Sequence, residues 1–229
     1  MKAALLDIEG TIGDIAFVRD VLFPFARARI PDTLKARWAD PEVEATVVGA
    51  REASGKGLAT PQEATAQFLA WMDEDKKITP LKALQGITWR EGYASGELKA
   101  HLYPDAIEAM RTWSRHGVQI FIYSSGSIEA QKLYVAHSVA GDLSPLVGGY
   151  FDTTTGPKGD PTSYMKIATA VGLEPYELTF FSDAPAETDA AHTAGVVVYR
   201  IDRKQPLSFE IDDRGTRVIG SFAGPLAGY

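Results

Sequence analysis

The sequence predicts an α/β fold: a doubly wound, parallel, Rossmann-like sheet core with an inserted helical cap domain. Three observations carry that prediction. A short apolar run over residues 3–8 reads as a buried strand, and a helix-rich stretch follows from about 15 to 100. From about residue 101 onward, strand-like runs alternate with helical segments that stop at glycines, which implies parallel strands joined by crossover helices. Three of the strand runs end on reactive polar groups, as ligand-binding α/β sheets do beyond their carboxyl edge. The expected division is residues 1–14 with 101–229 as the core domain, and 15–100 as a helical insertion large enough to form a lid.

Each element has a local reason. After the strand 3–8, Ile15, Phe17, Val18, Val21, Leu22 and Phe25 recur at helical spacing. Pro24 is expected to kink or end that helix. Ser54-Gly55-Lys56-Gly57 reads as a joint between helices. Thr60-Pro61-Gln62-Glu63 is a capping box with Pro at the first helical position. Behind it, Ala64, Phe68, Leu69, Trp71 and Met72 share a face. Thr79-Pro80 starts another helix, for which Gly86 is the expected stop.

In the second part, Pro104-Asp105 opens a helix with Ile107, Met110 and Trp113 on its apolar face and Gly117 at its end. Val118–Tyr123 reads as a strand, closed by Ser124-Ser125-Gly126-Ser127 and a helix. Tyr150-Phe151 is a short strand, 163–171 a helix ended by Gly172, and Leu178–Phe181 a strand running into Ser182-Asp183. A helix over 185–194 stops at Gly195, and Val196–Ile201 is the final strand. Trp71, Trp89 and Trp113 are expected in the core.

Composition narrows the function. The 229 residues are 45% hydrophobic, enough for a sizeable core. With 30 acids against 23 bases the net charge is −7, which argues against general binding to nucleic acid or anionic membranes. It leaves open a phosphate ester held by a local cation. The absence of cysteine excludes disulfides, thiolate metal sites and a cysteine nucleophile. The apolar run before Asp7 is too short for a signal peptide, and no run is long enough to span a bilayer. The expectation is a cytoplasmic monomer.

The strand end Leu5-Leu6-Asp7-Ile8-Glu9-Gly10-Thr11 places two acids two residues apart. If the chain stays extended, Asp7 and Glu9 face the same way. Such a pair suits a cation site, or a nucleophile with an acid/base partner. Other strand ends add Ser124, Ser125 and Asp183, and a Pro/Gly loop adds Lys158. Together they suit a phosphate ester and a hard divalent cation such as Mg²⁺. A carboxylate attacking a phosphate dianion meets a repulsion of roughly 4 kcal/mol at ~4 Å and an effective dielectric of about 20. A cation between Asp7, Asp183 and the phosphate removes it. Lys158 would neutralise a second phosphate oxygen, and the Ser124 hydroxyl with amides near Ser127 would cradle the rest. Glu9 is placed to protonate the leaving oxygen and then to activate water.

Each piece alone also fits a plain structural role. Asp183 could cap the helix at Pro185, Lys158 could be surface charge, and Glu187 a solvated first-turn acid or a brace for a metal ligand. His101, His116, His137 and His192 share no metal-ligand spacing. The order of the reactive strand ends favours chemistry.

That order resembles the four motifs of the haloacid-dehalogenase-like hydrolases: Asp7-Ile8-Glu9-Gly10-Thr11, Ser124, Lys158 and Asp183. Glu9, where aspartate is usual, and Phe17-Val18-Arg19-Asp20-Val21-Leu22-Phe23-Pro24 are similar to the enolase-phosphatase family of methionine salvage. Tyr103-Pro104-Asp105, Ile122–Ser127, Ala130-Gln131-Lys132-Leu133 and Gly149–Thr153 also resemble it. The resemblance implies a Mg²⁺-dependent phosphoric monoester hydrolase of the acireductone synthase type. It would convert 2,3-diketo-5-methylthiopentyl-1-phosphate to the acireductone and phosphate. It implies Asp7 and Glu9 as catalytic residues, Asp7, Glu9 and Asp183 as metal positions (Glu9 through its backbone carbonyl), and Ser124, Ser125 and Lys158 as substrate contacts. Ile12-Gly13-Asp14, residues 35–60 and the last twenty residues depart from the pattern. The alternative is a phosphatase of the same superfamily acting on another small phosphorylated metabolite.

Overall fold

In the computed structural model, residues 1–205, 209–213 and 215–223 are described; residues 206–208, 214 and 224–229 of the expected core domain lie outside them. The chain divides into two compact units, one formed by Met1–Ile15 with the chain from Lys99 onward, the other by Ala16–Leu98.

The first unit is built on a seven-stranded sheet. Its strands are β1 (Ala3–Leu6), β2 (Gln119–Tyr123), β3 (Gly149–Phe151), β4 (Leu178–Ser182), β5 (Val197–Ile201), β6 (Phe209–Ile211) and β7 (Arg217–Ile219). The order is β3-β2-β1-β4-β5-β7-β6, with every pairing parallel except β6–β7. β5 is therefore not the last strand. The β6–β7 pair extends the sheet beyond it, built from three-residue strands too short to leave a periodic signal in the sequence.

Because β1 is central, all four of its side chains are buried, which is why Ala3-Ala4-Leu5-Leu6 reads as a continuous apolar run. Phe180 packs on one face against Tyr164, with ring centroids 5.1 Å apart. Its neighbour Phe181 turns to the other face, stacking between Trp113 and Tyr199 at 5.3 Å each. Burying each such side chain contributes roughly 1.5–3 kcal/mol.

Register sets up the site. Leu6 stands opposite Ile122 on β2 and Phe181 on β4. The next residues, Asp7, Tyr123 and Ser182, therefore stand level at the carboxyl edge. The strand ends at Leu6, two residues earlier than expected. Past it the backbone folds into a turn in which the amides of Thr11, Ile12 and Gly13 all donate to the Ile8 carbonyl. The period-two argument for Asp7 and Glu9 therefore does not hold: the two acids lie on a strand end and on a turn.

The helices around the sheet are α6 (Pro104–Arg115), α7 (Ile128–Ala136), α8 (Pro161–Ala170) and α9 (Pro185–Thr193). Ser127 caps α7 by accepting from the Ala130 amide, and Asp160 caps α8 by accepting from the Thr162 amide. The residue before α9 is Ala184, and no side chain caps that helix. Asp183 is thus not its N-cap.

The second unit is helical. Ile15–Phe17 (α1) runs through a π-turn, Val18–Leu22, into α2 (Phe23–Ala36), followed by α3 (Pro41–Ser54), α4 (Pro61–Asp73) and α5 (Thr79–Ala94). Pro24 neither ends nor interrupts the helical run. It sits in the first turn of α2, where its missing N–H costs least. The π-turn just before it shifts the helical register. Of the apolar face expected over residues 15–25, Leu22 is buried while Ile15 and Val21 are exposed. The capping box at Thr60 and Glu63 forms as expected. Ile30, Leu34, Val47, Phe68, Trp71 and Leu84 are at the centre of this unit's core. Trp89 is half-buried, its indole N–H donating to the Leu22 carbonyl at 2.9 Å.

Gly86 does not end α5, which runs on to Ala94. The glycine that packing requires is Gly92: a Cβ there would lie 2.5 Å from the Phe25 ring.

Candidate active site

Asp7 follows the buried strand β1 and is itself 5% exposed. One carboxylate oxygen accepts the Ile8 amide at 2.8 Å and pairs with the Lys158 ammonium at 2.6 Å. The other lies 3.2 Å from the Ser182 hydroxyl. That hydroxyl is 2.8 Å from Glu187, whose carboxylate also holds Lys158 at 2.6 Å. A hydroxyl carries one hydrogen, so Ser182 donates to one acid at a time.

Lys158 is not the surface charge that its Pro/Gly loop suggests: it is 7% exposed. Tyr164 donates to its carbonyl at 2.7 Å, Tyr123 donates to the Gly156 carbonyl at 2.9 Å, and the ammonium lies over the Tyr123 ring. These contacts aim the side chain at Asp7.

Asp183 is positioned by the turn after β1. Its amide donates to the Thr11 hydroxyl at 3.0 Å. Its carboxylate rests on Gly10, which has φ +71° and where any Cβ would collide with the Asp183 side chain. Two independent reasons thus require glycine at this position. Glu9 is half-buried in the same turn.

Ser124 is buried just past Tyr123 and Ser125 is exposed. The Ser124 hydroxyl accepts the Gly126 amide at 3.2 Å. The Gln131 side-chain amide lies 2.8 Å from the Gly126 carbonyl and 2.9 Å from the Phe151 carbonyl, tying the ends of β2 and β3 together.

The electrostatics are unbalanced. Burial pushes Asp7 up to about 7. Lys158 opposes this, while Glu187 and Asp183 add to it. Burial would lower Lys158, but Asp7 and Glu187 outweigh it and hold the ammonium above its usual value. Asp183 is raised by desolvation and by Glu187. Three acids thus share one ammonium, and the residual charge is negative.

Among the described residues, no group of three or more His, Cys, Asp or Glu side chains is arranged to hold a metal ion. The all-oxygen, charge-excess pair Asp7 and Asp183 still fits a hard divalent cation, which typically keeps several waters and takes one or two carboxylates.

Ser182 and Glu187 are the partners sequence reasoning undervalued. Glu187 reads locally as a first-turn acid. Ser182 matters only because the register sets it level with Asp7, which no local pattern records.

The haloacid dehalogenase-like hydrolase family model matches residues 1–195. A relative named Enolase-phosphatase E1 from Pseudomonas aeruginosa (strain UCBPP-PA14) is 50% identical over 196 residues, covering 86% of this chain and 87% of its own. A relative of the same name from Persephonella marina is 44% identical over 222 residues, covering 97% of both. Among solved structures, the Unknown transcript 4 protein of Saccharomyces cerevisiae superimposes with a TM-score of 0.81 at 32% identity, covering 97% of this chain and 98% of that one. A dehalogenase with a TM-score of 0.55 and 19% identity, covering 97% and 94%, shares the fold. The chain belongs to the haloacid dehalogenase-like hydrolases and, within them, to the enolase-phosphatase E1 family.

Proposed function

We propose that this chain is a bifunctional enolase-phosphatase that converts 2,3-diketo-5-methylthiopentyl-1-phosphate to the acireductone 1,2-dihydroxy-3-keto-5-methylthiopentene and phosphate. The observation that carries this reading is the match to relatives named Enolase-phosphatase E1 over nearly the whole chain. The buried Asp7–Lys158 pair supports the hydrolytic half.

In this reading Asp7 is the nucleophile. Its carboxylate oxygen forms a bond to phosphorus as the ester P–O bond breaks, and Glu9 supplies a proton to the leaving oxygen. Glu9 then takes a proton from water, whose oxygen attacks phosphorus and releases Asp7. Lys158 and the Ser124 and Ser125 hydroxyls bind the phosphate oxygens. Ser182 and Glu187 keep Lys158 and Asp7 aligned. Asp7 and Asp183, with the Glu9 carbonyl, would hold Mg²⁺. Bound there, the cation would offset the repulsion between nucleophile and phosphate and keep Asp7 ionised near neutrality. Residues 15–100 are read as the cap domain, and the protein as a cytoplasmic monomer; the net charge of −7 supports the absence of nucleic-acid and anionic-membrane partners.

The test is direct. Purified protein with Mg²⁺ is expected to release phosphate from the diketone phosphate and to produce the enediol absorbance. Phosphate release without the enediol would reassign it to another small phosphorylated metabolite, and no phosphate release from any monoester would remove the phosphatase reading.

A further inference from the structure

Arg203 lies two residues beyond β5 and past the stretch that the family model matches. Its guanidinium nevertheless reaches the turn after β1. Nε donates to the Thr11 carbonyl at 3.1 Å, Nη2 donates to the same oxygen, and Nη1 pairs with Asp105 at 2.7 Å. The guanidinium carbon lies 4.1 Å from the centre of the Tyr103 ring and 5.3 Å from that of Phe222. Asp105 is fixed in turn, because the Ser221 hydroxyl and the Phe222 amide each donate to the same oxygen at 2.8 Å. Burial would raise the Asp105 carboxyl, but Arg203 and these two donors outweigh it and hold it below its usual value.

Thr11 is therefore gripped twice. Its carbonyl accepts from Arg203, and its hydroxyl accepts the amide of Asp183. Thr11 is fully buried, so it cannot exchange either partner for water. Only a guanidinium can donate two bonds to one carbonyl, pair with a carboxylate and stack on an aromatic ring at once.

We propose that Arg203 is a positioning residue for the metal-dependent reaction. By fixing the Thr11 carbonyl it holds the Gly10–Thr11 turn and, through the Thr11 hydroxyl, the backbone that carries Asp183. The proposal rests on reading Asp7 and Asp183 as metal positions.

The experiment measures Mn²⁺ binding by electron paramagnetic resonance without substrate, and Mg²⁺-dependent hydrolysis of p-nitrophenyl phosphate. The proteins are the wild type, R203M, R203K and R200M. R200M is the control, because Arg200 pairs with Asp212 at 2.8 Å, apart from the turn. R203M is expected to weaken Mn²⁺ binding about tenfold and to lower kcat about tenfold, with KM within twofold. R203K, which keeps the charge but not the fork, falls between R203M and the wild type. R200M binds Mn²⁺ within twofold of the wild type. Wild-type Mn²⁺ affinity in folded R203M overturns the proposal, as does an equal loss in R200M. If circular dichroism finds R203M unfolded, R203K decides: at least threefold weaker Mn²⁺ binding supports the proposal, and binding within twofold overturns it. If the wild type itself binds no Mn²⁺, the metal reading fails first and takes the proposal with it.

Discussion

Lys158 places one ammonium 2.6 Å from Asp7 and 2.6 Å from Glu187, so a single buried cation serves two carboxylates. A third acid, Asp183, raises Asp7 through its field without a cation of its own in the cluster. With all three acids ionised the arrangement is short of two positive charges, and that shortage bears on charge and stability.

Lys158→Met is expected to do more than remove the proposed phosphate contact. It leaves Asp7 and Glu187 facing each other without compensation, and breaking a buried pair typically costs about 3–5 kcal/mol. Urea unfolding at pH 8 in EDTA is expected to reveal a loss of that order. At pH 5 the loss is expected to shrink, because Asp7 then carries a proton. Equal losses at both pH values would contradict the charge imbalance.

Asp7→Asn is expected to lower turnover by roughly three orders of magnitude or more, the scale on which removing a covalent nucleophile acts, with circular dichroism unchanged. It should also change the pH dependence of stability. The Asp7 carboxyl rises from 3.8 in the unfolded chain to about 7 in the fold, so the folded state binds the proton more tightly. The resulting penalty is absent below about pH 4, grows between about 4 and 7, and is complete above 7. In EDTA the thermal midpoint of Asp7→Asn is expected to gain on the wild type as pH rises through that window. A constant difference would mean that Asp7 titrates normally.

Gly10→Ala combines backbone strain with a collision. A side chain at φ +71° costs about 1–2 kcal/mol, and its Cβ would displace the Asp183 carboxylate. If the displacement costs about 1.4 kcal/mol of metal binding, half-activation needs roughly tenfold more Mg²⁺. A Mg²⁺ titration of phosphatase activity reads this, and an unchanged midpoint would argue that Asp183 does not meet the metal.

Two glycines of α5 are expected to respond oppositely. Nothing lies within 4 Å of a Cβ built on Gly86, so Gly86→Ala gains helix propensity, about 0.5–1 kcal/mol. On Gly92 the same Cβ meets Phe25 at 2.5 Å and Leu98 at 2.8 Å, and overpacking of that kind costs about 1–3 kcal/mol. Thermal melts of the two variants are expected to shift in opposite directions.

These two glycines also illustrate what the sequence can and cannot say. A glycine at a plausible helix end reads as a stop whatever packs against it, so Gly86 misleads. Gly92 carries no local mark of the ring beside it. The Thr60–Glu63 capping box was legible because both partners lie within four residues. The reactive strand ends were legible because apolar runs stop abruptly at Asp7, Ser124 and Asp183. The turn after Leu6 was not, because it is built from backbone bonds to the Ile8 carbonyl that no side-chain pattern encodes. Nor were Ser182 as a partner of Asp7 and Arg203 as a partner of Thr11, since both are set by pairings across more than 170 residues.

The central place of β1 has a consequence for how the molecule comes into being. Ala3 pairs with Gln119 on one side and with Leu178 on the other. During synthesis β1 is made before both of its neighbours and acquires the second, β4, only some 170 residues later. Until then it is an apolar segment with unsatisfied edges, the kind of element that slows folding and invites wrong partners. The candidate site therefore has no half-built form: Ser182 and Asp183 reach Asp7 and Thr11 only once β4 has docked.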